Sequence, residues 1–280
     1  MATLVPRRGP RAAAATSARG TEVHRFLAVR PPADGGRPRL FCFHHAGAGA
    51  MAFAGWQPRV GRDIDVLPVR LPGREALLRE EPIVDADRLV SELQRQFAPL
   101  LDSPTPHAFY GHSLGALVAY RLALHRARAG LRPPRLLLVG ACPAPQLPLA
   151  LLDARDPAQL TDEELLVAFG DEQSLPETLR RRPGRLAHTL ATLRADLLLA
   201  RSLRAAPADP LAVGLRAFAG RDDRLVSAAQ VRAWRHCTSG EFRLDSVPGA
   251  HFFVRGRELP HRIGDLLRGA VPAAPPVPAG

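Results

Sequence analysis

A chain of 280 residues that is 46% hydrophobic and 23% charged is long enough to bury one full core, and it has the composition of an ordinary soluble globule. Its formal net charge of +11 comes from arginine alone, scattered through every segment without a helix-turn-helix, zinc or aromatic-plus-basic strand motif, as a G+C-rich coding bias would also give; nucleic-acid binding is therefore not expected, and the charge is compatible with an acidic protein partner. No apolar run approaches the roughly 18 residues of a membrane span, and the basic N-terminus lacks an apolar segment of signal-peptide length, so a cytoplasmic protein with no membrane association is expected.

Residues 1–20, with Arg7, Arg8, Arg11 and Arg19 and an alanine run, have no apolar periodicity and are expected to form a disordered basic tail; the proline-rich 271–280 segment is expected to fray likewise. Between them, residues 21–270 alternate strand-like and helix-like segments, the pattern of a mostly parallel sheet with helices on both faces. Val23–Val29 and Arg39–Phe43 read as strands joined by a Pro-Pro-Ala-Asp-Gly-Gly turn, and Ile64–Leu71 as the next strand. Asp85–Phe97 is an amphipathic helix with Leu89, Leu93 and Phe97 on one stripe. Further strands are predicted over His107–Tyr110, Arg135–Val139, Leu211–Phe218 and Glu241–Val247; Ser227 opens a capping box, and Pro260 falls in the first turn of the last helix.

The 147–206 interval breaks this alternation, being helical without a credible strand, and reads as an insertion. Thr161 to Glu164 is a capping box, and Leu186, Leu190, Leu193 and Leu197 form a stripe at helical spacing. That stripe fits two roles equally: a layer packed on the core, or a lid whose apolar face meets an acyl chain.

Phe109-Tyr-Gly-His-Ser-Leu-Gly115 is the centre of the chain: the end of a buried strand, a sharp turn carrying Ser113, and a helix running from Leu114 until Gly130 stops it. Such a nucleophile elbow strains the serine backbone and leaves no room for a Cβ at position 111 or 115. A serine hydroxyl is a weak nucleophile at neutral pH, so it needs a base and an acid that orients the base. His251, in Pro248-Gly-Ala-His-Phe-Phe253 after the last strand, is the best-placed base. Asp223 follows the preceding strand; Asp222 is its rival, and the Gly-x-x-Asp-x-x-Val turn favours Asp223. No acid stands one strand earlier, in Val139–Pro145, and His112 is expected to point away from the nucleophile. The glycine-rich Phe43–Gly49 stretch faces the elbow, and its backbone N–H near Ala46, with that of Leu114, could stabilise an oxyanion. A phosphate-cradling loop is the competing reading, but no Gly-Lys-Ser/Thr follows. Cys42, Cys142 and Cys237 are widely spaced and read as buried free thiols, without disulfide or metal spacing.

Over residues 38–270 the chain resembles the type II, or editing, thioesterases of polyketide and nonribosomal peptide assembly lines, relatives of the medium-chain acyl thioesterases of fatty acid synthesis. The resemblance rests on Leu40–Gly49, Leu71-Pro-Gly-Arg-Glu75, Tyr110–Gly115, Leu193-Arg-Ala-Asp196, the Gly220–Val226 turn and Gly249–Phe253, the second and fourth being the most specific. His44 stands where the family usually has proline, and Ala48 where it usually has glycine. The resemblance implies an α/β-hydrolase fold with a helical lid insertion, and a Ser113–Asp223–His251 triad needing no cofactor or metal. It further implies hydrolysis of acyl thioesters on the phosphopantetheine arm of acyl or peptidyl carrier proteins; a monomer is expected. A carboxylic ester or lactone hydrolase, or an acyltransferase, is the alternative within the fold; a non-catalytic synthase partner is the alternative outside enzymes.

Overall fold

The computed structural model describes residues 24–32, 36–149, 155–169 and 177–270. The expected tails, 1–20 and 271–280, lie outside the described residues, as does part of the insertion. Six strands, β1 (Arg39–Phe43), β2 (Asp65–Pro68), β3 (His107–His112), β4 (Leu136–Gly140), β5 (Gly214–Gly220) and β6 (Phe242–Val247), form one sheet in the order β2-β1-β3-β4-β5-β6. Every pairing is parallel. The helices are α1 (Trp56–Val60), α2 (Ala86–Leu101), α3 (Leu114–Arg128), α4 (Asp162–Phe169), α5 (Glu177–Arg180), α6 (Pro183–Ala205), α7 (Ala228–Arg232) and α8 (Glu258–Ala270).

Strand residues alternate between two cores. Phe41, Phe43 and Phe109 pack with Leu89, Leu93, Val118 and Leu197 on one face; Leu40, Cys42, Ala108 and Tyr110 pack with Trp56, Val60, Leu259 and Ile263 on the other. This is the period of two of a sheet covered on both sides. Asp85 caps α2 by accepting from the Arg88 N–H, and Ser227–Gln230 and Thr161–Glu164 are both reciprocal capping boxes. Cys42, Cys142 and Cys237 are buried free thiols, and burial pushes Cys142 and Cys237 up to about 12, out of the reactive range.

The expected first strand does not form. Residues 24–26 make a turn, closed by Leu27 N–H on the His24 carbonyl, and the segment meets β2 through a single antiparallel bridge, Leu27 to Val69. The hairpin with β1 has no place, because β1 is already paired on both sides. β2 stops at Pro68, short of Leu71; the Pro68 carbonyl accepts the Ala28 N–H at 2.9 Å, but Pro68 has no N–H to return, so the incoming segment gains no ladder on this edge. β5 likewise starts at Gly214 rather than Leu211, which instead bridges Thr238.

The chain order reverses between β1 and β3, so the loops leaving their carboxyl ends lie side by side, at the position where open α/β sheets hold their ligands. Phe43 is level with Gly111, and His112 with Gly140, which aligns the strand ends that carry the 44–49 loop and the elbow.

Candidate active site

Ser113 has φ 52° and ψ −116°, a conformation that non-glycine residues hold only when their surroundings impose it. The surroundings do so by close approach. A Cβ on Gly111 would lie 2.1 Å from the Gly115 carbonyl oxygen, and one on Gly115 would lie 2.0 Å from that of Phe43. The Ser113 N–H donates to the Gly140 carbonyl at 2.8 Å, tying the elbow to the next strand.

His251 leaves the loop after β6 and turns its Nδ1 to Asp223 Oδ2 at 2.9 Å. The other oxygen, Oδ1, accepts the N–H groups of Leu225 at 2.9 Å and Val226 at 3.0 Å, so the carboxylate is locked by its own turn. The Asp223 side chain is 0% exposed. Asp222 is exposed, and its main-chain N–H donates to the Gly249 carbonyl. With the carboxylate accepting at Nδ1, that nitrogen carries the proton and Nε2 has its lone pair available.

His112 is fully buried between two partners. Its Nε2 lies 2.7 Å from the His251 carbonyl oxygen, which can only accept, so Nε2 bears the hydrogen; Nδ1 then accepts from the Tyr110 hydroxyl at 2.8 Å. Burial, helped by the nearby His251 and His45 rings, holds the His112 pKa well below 6.5 and keeps it neutral. His112 therefore grips the main chain of His251 without facing Ser113.

A cavity of about 100 Å³ opens beside Ser113, lined by His45, Ala46, Gly47, Leu193 and His251 among others. Ala46 is thus beside the serine, and Leu114 is the first residue of α3, where N–H groups point outward from the helix end. Of the leucine stripe on α6, Leu190, Leu193 and Leu197 are all buried in the core, and Leu193 also lines this cavity. Among the described residues no group of His, Cys, Asp and Glu side chains could hold a metal ion.

One element of the site had no assigned role in the sequence. Arg74 and Asp196, 6% and 2% exposed, form a two-point ion pair with bonds of 2.8 and 2.7 Å, and Asp196 Oδ2 also accepts the Gly47 N–H at 2.8 Å. The available signal was a single arginine in Leu71-Pro-Gly-Arg-Glu75 and a single aspartate inside the apolar run of α6, since an isolated charge on a buried face needs a partner.

A family model described as the thioesterase domain matches residues 38–267. The chain belongs to the thioesterase family. This thioesterase is 33% identical over 217 residues to the gramicidin S biosynthesis protein GrsT of Aneurinibacillus migulanus, covering 77% of this chain and 82% of that protein. The RedJ thioesterase of the prodiginine pathway in Streptomyces coelicolor is similar in structure, with a TM-score of 0.74 at 32% identity over 87% of this chain and 96% of that one. The type II thioesterase BorB of the borrelidin cluster is similar too, with a TM-score of 0.70 at 29% identity over 86% and 95%. No helix among the described residues is long and apolar enough to cross a membrane.

Proposed function

We propose that this thioesterase edits an assembly line for polyketides or nonribosomal peptides, hydrolysing acyl thioesters from the phosphopantetheine arm of carrier proteins. The observation that carries the reading is the meeting, at one cavity, of a strained elbow serine, a histidine held by a buried aspartate, and the turn that follows β1. It meets in a chain similar over most of its length to biosynthetic thioesterases.

In this mechanism His251 Nε2 takes the Ser113 hydroxyl proton as Oγ attacks the thioester carbonyl. Asp223 stabilises the imidazolium by accepting from Nδ1–H, and the Ala46 and Leu114 N–H groups bind the oxyanion. Collapse breaks the carbon–sulfur bond. A thiol with a pKa near 8.5 leaves with little help, so the imidazolium has only a light task as general acid. Water, deprotonated by His251, then attacks the acyl-serine through the same tetrahedral geometry and releases the free acid. The chemistry calls for no metal or cofactor.

Exposed Arg221, Arg224 and Arg257 lie in the two loops that carry Asp223 and His251, and they offer positive charge to an acidic carrier domain. Hydrolysis of an acyl group on holo carrier protein, measured beside a p-nitrophenyl ester of the same acyl group, tests the reading. A kcat/KM higher by at least about tenfold for the carrier thioester is expected; preference for the simple ester would favour an ester hydrolase.

A further inference from the structure

The turn after β1 is held in an unusual way. The Ala48 N–H donates to the His45 carbonyl at 3.2 Å, and Gly47 has φ 71°, which makes residues 45–48 a type II turn with glycine at the position that needs a left-handed backbone. A turn of this kind can flip its central peptide at modest cost, and flipping would reverse the Ala46 carbonyl and the Gly47 N–H together. Here both are held. The Ala46 carbonyl accepts from His45 Nδ1 at 3.0 Å, and the Gly47 N–H donates to Asp196 Oδ2 at 2.8 Å.

The neighbouring peptides are held by side chains as well. The His45 carbonyl accepts a second bond, from His44 Nδ1 at 2.9 Å, and the Ala48 carbonyl accepts from Arg74 Nη1 at 2.7 Å. A carbonyl only accepts, so His44 and His45 both carry their hydrogen on Nδ1. Burial pushes both imidazoles down to about 3, which keeps them neutral at working pH. Because a trans peptide is planar, fixing the His45 carbonyl also fixes the Ala46 N–H, which points the opposite way. Arg74 comes from the loop after β2 and Asp196 from α6, so the turn is tied to two distant parts of the chain.

We propose that His44, Arg74 and Asp196 are positioning residues for thioester hydrolysis, holding the 45–48 turn so that the Ala46 N–H stays aimed at the substrate carbonyl oxygen. The inference rests on the reading of Ala46 as an oxyanion donor. It gives a role to His44 and joins Arg74 and Asp196 to the chemistry without contact to substrate. A donor that is already oriented costs no reorganisation when charge develops, and losing one such donor costs about 10² to 10³ in kcat.

The test is steady-state hydrolysis of an acyl-carrier thioester by His44→Leu, His44→Asn, Asp196→Asn and Ser113→Ala, with thermal midpoints and the Gly47 amide proton resonance recorded for each. Asparagine places its Nδ2 close to where histidine places Nδ1, whereas leucine fills the space without a donor. Expected results are a kcat about tenfold or more lower for His44→Leu with KM within about threefold, most of that loss recovered in His44→Asn, and a larger kcat loss in Asp196→Asn with an upfield Gly47 amide. The His44 pair keeps the test decisive if Asp196→Asn does not fold. Wild-type kcat in folded His44→Leu, or equal kcat in the leucine and asparagine variants, would overturn the proposal. If Ser113→Ala also kept wild-type activity, the functional reading would fall rather than this one.

Discussion

Asp223 Oδ2 lies 2.9 Å from His251 Nδ1 while its other oxygen is held by two main-chain N–H groups, so this carboxylate can orient the imidazole in only one way. Asp222, its neighbour in sequence, faces solvent. Asp223→Asn should lower kcat by roughly 10³ to 10⁴, because the amide favours the wrong imidazole tautomer, and Asp222→Asn should cost less than about tenfold. Steady-state kinetics of the two variants on one thioester check this; the opposite ranking would move the acid to Asp222.

The leucine stripe on α6 divides by position. Leu193→Ala should enlarge the cavity beside Ser113 and shift preference toward longer acyl groups, whereas Leu190→Ala should leave the acyl-length profile alone; both side chains are buried in the core, so each truncation should lower stability by about 2 to 5 kcal/mol. A panel of acyl thioesters of increasing length, run beside urea unfolding of each variant, separates the two. An unchanged profile in Leu193→Ala would make the stripe core only.

How much of this was legible in the sequence follows physical lines. The elbow was readable because Gly111 and Gly115 sit at two close approaches that no other residue tolerates, and local sequence reports local backbone. β1, β3 and β4 were readable as short apolar runs. The segment ahead of β1 was misread because the rule that adjacent strands pair ignores competition: β1 had better partners in β2 and β3, and Pro68 closed the remaining edge. Arg74 and Asp196 are separated by 122 residues, and nothing local to either indicates that they pair, or that Asp196 holds the Gly47 N–H and Arg74 the Ala48 carbonyl.

Acid should unfold this protein cooperatively. His44, His45 and His107 are buried and neutral, with pKa values lowered from 6.5 to about 3, chiefly by loss of solvation. The unfolded chain takes up protons below pH 6.5 that the folded chain refuses until about pH 3, so stability is full above that window and falls as pH drops through it. At pH 5 each residue costs about 2 kcal/mol, and three together rival the whole stability of a typical domain. Urea midpoints should drop steeply from pH 7 to pH 5; a flat profile would mean that the rings are protonated or solvated in the folded state.

Charge should govern arrival of the partner more than chemistry. Attraction between the arginine-bearing loops and an acidic carrier is screened over about 8 Å at physiological ionic strength. Raising salt from about 0.05 to 0.5 M should therefore lower kcat/KM for a carrier-bound acyl group several-fold and hardly affect a small acyl-thioester mimic. Equal salt slopes for the two substrates would remove electrostatic docking and leave the cavity chemistry untouched.

The most direct test of the central claim is release of free acid from an acyl group loaded on holo carrier protein, followed by mass spectrometry for the wild type, Ser113→Ala, His251→Ala and the double variant. Each single variant should be slower by roughly four to six orders of magnitude, with the double variant little worse, because the serine and histidine act as a unit. A Ser113→Ala protein that kept a tenth of the wild-type rate would contradict the account.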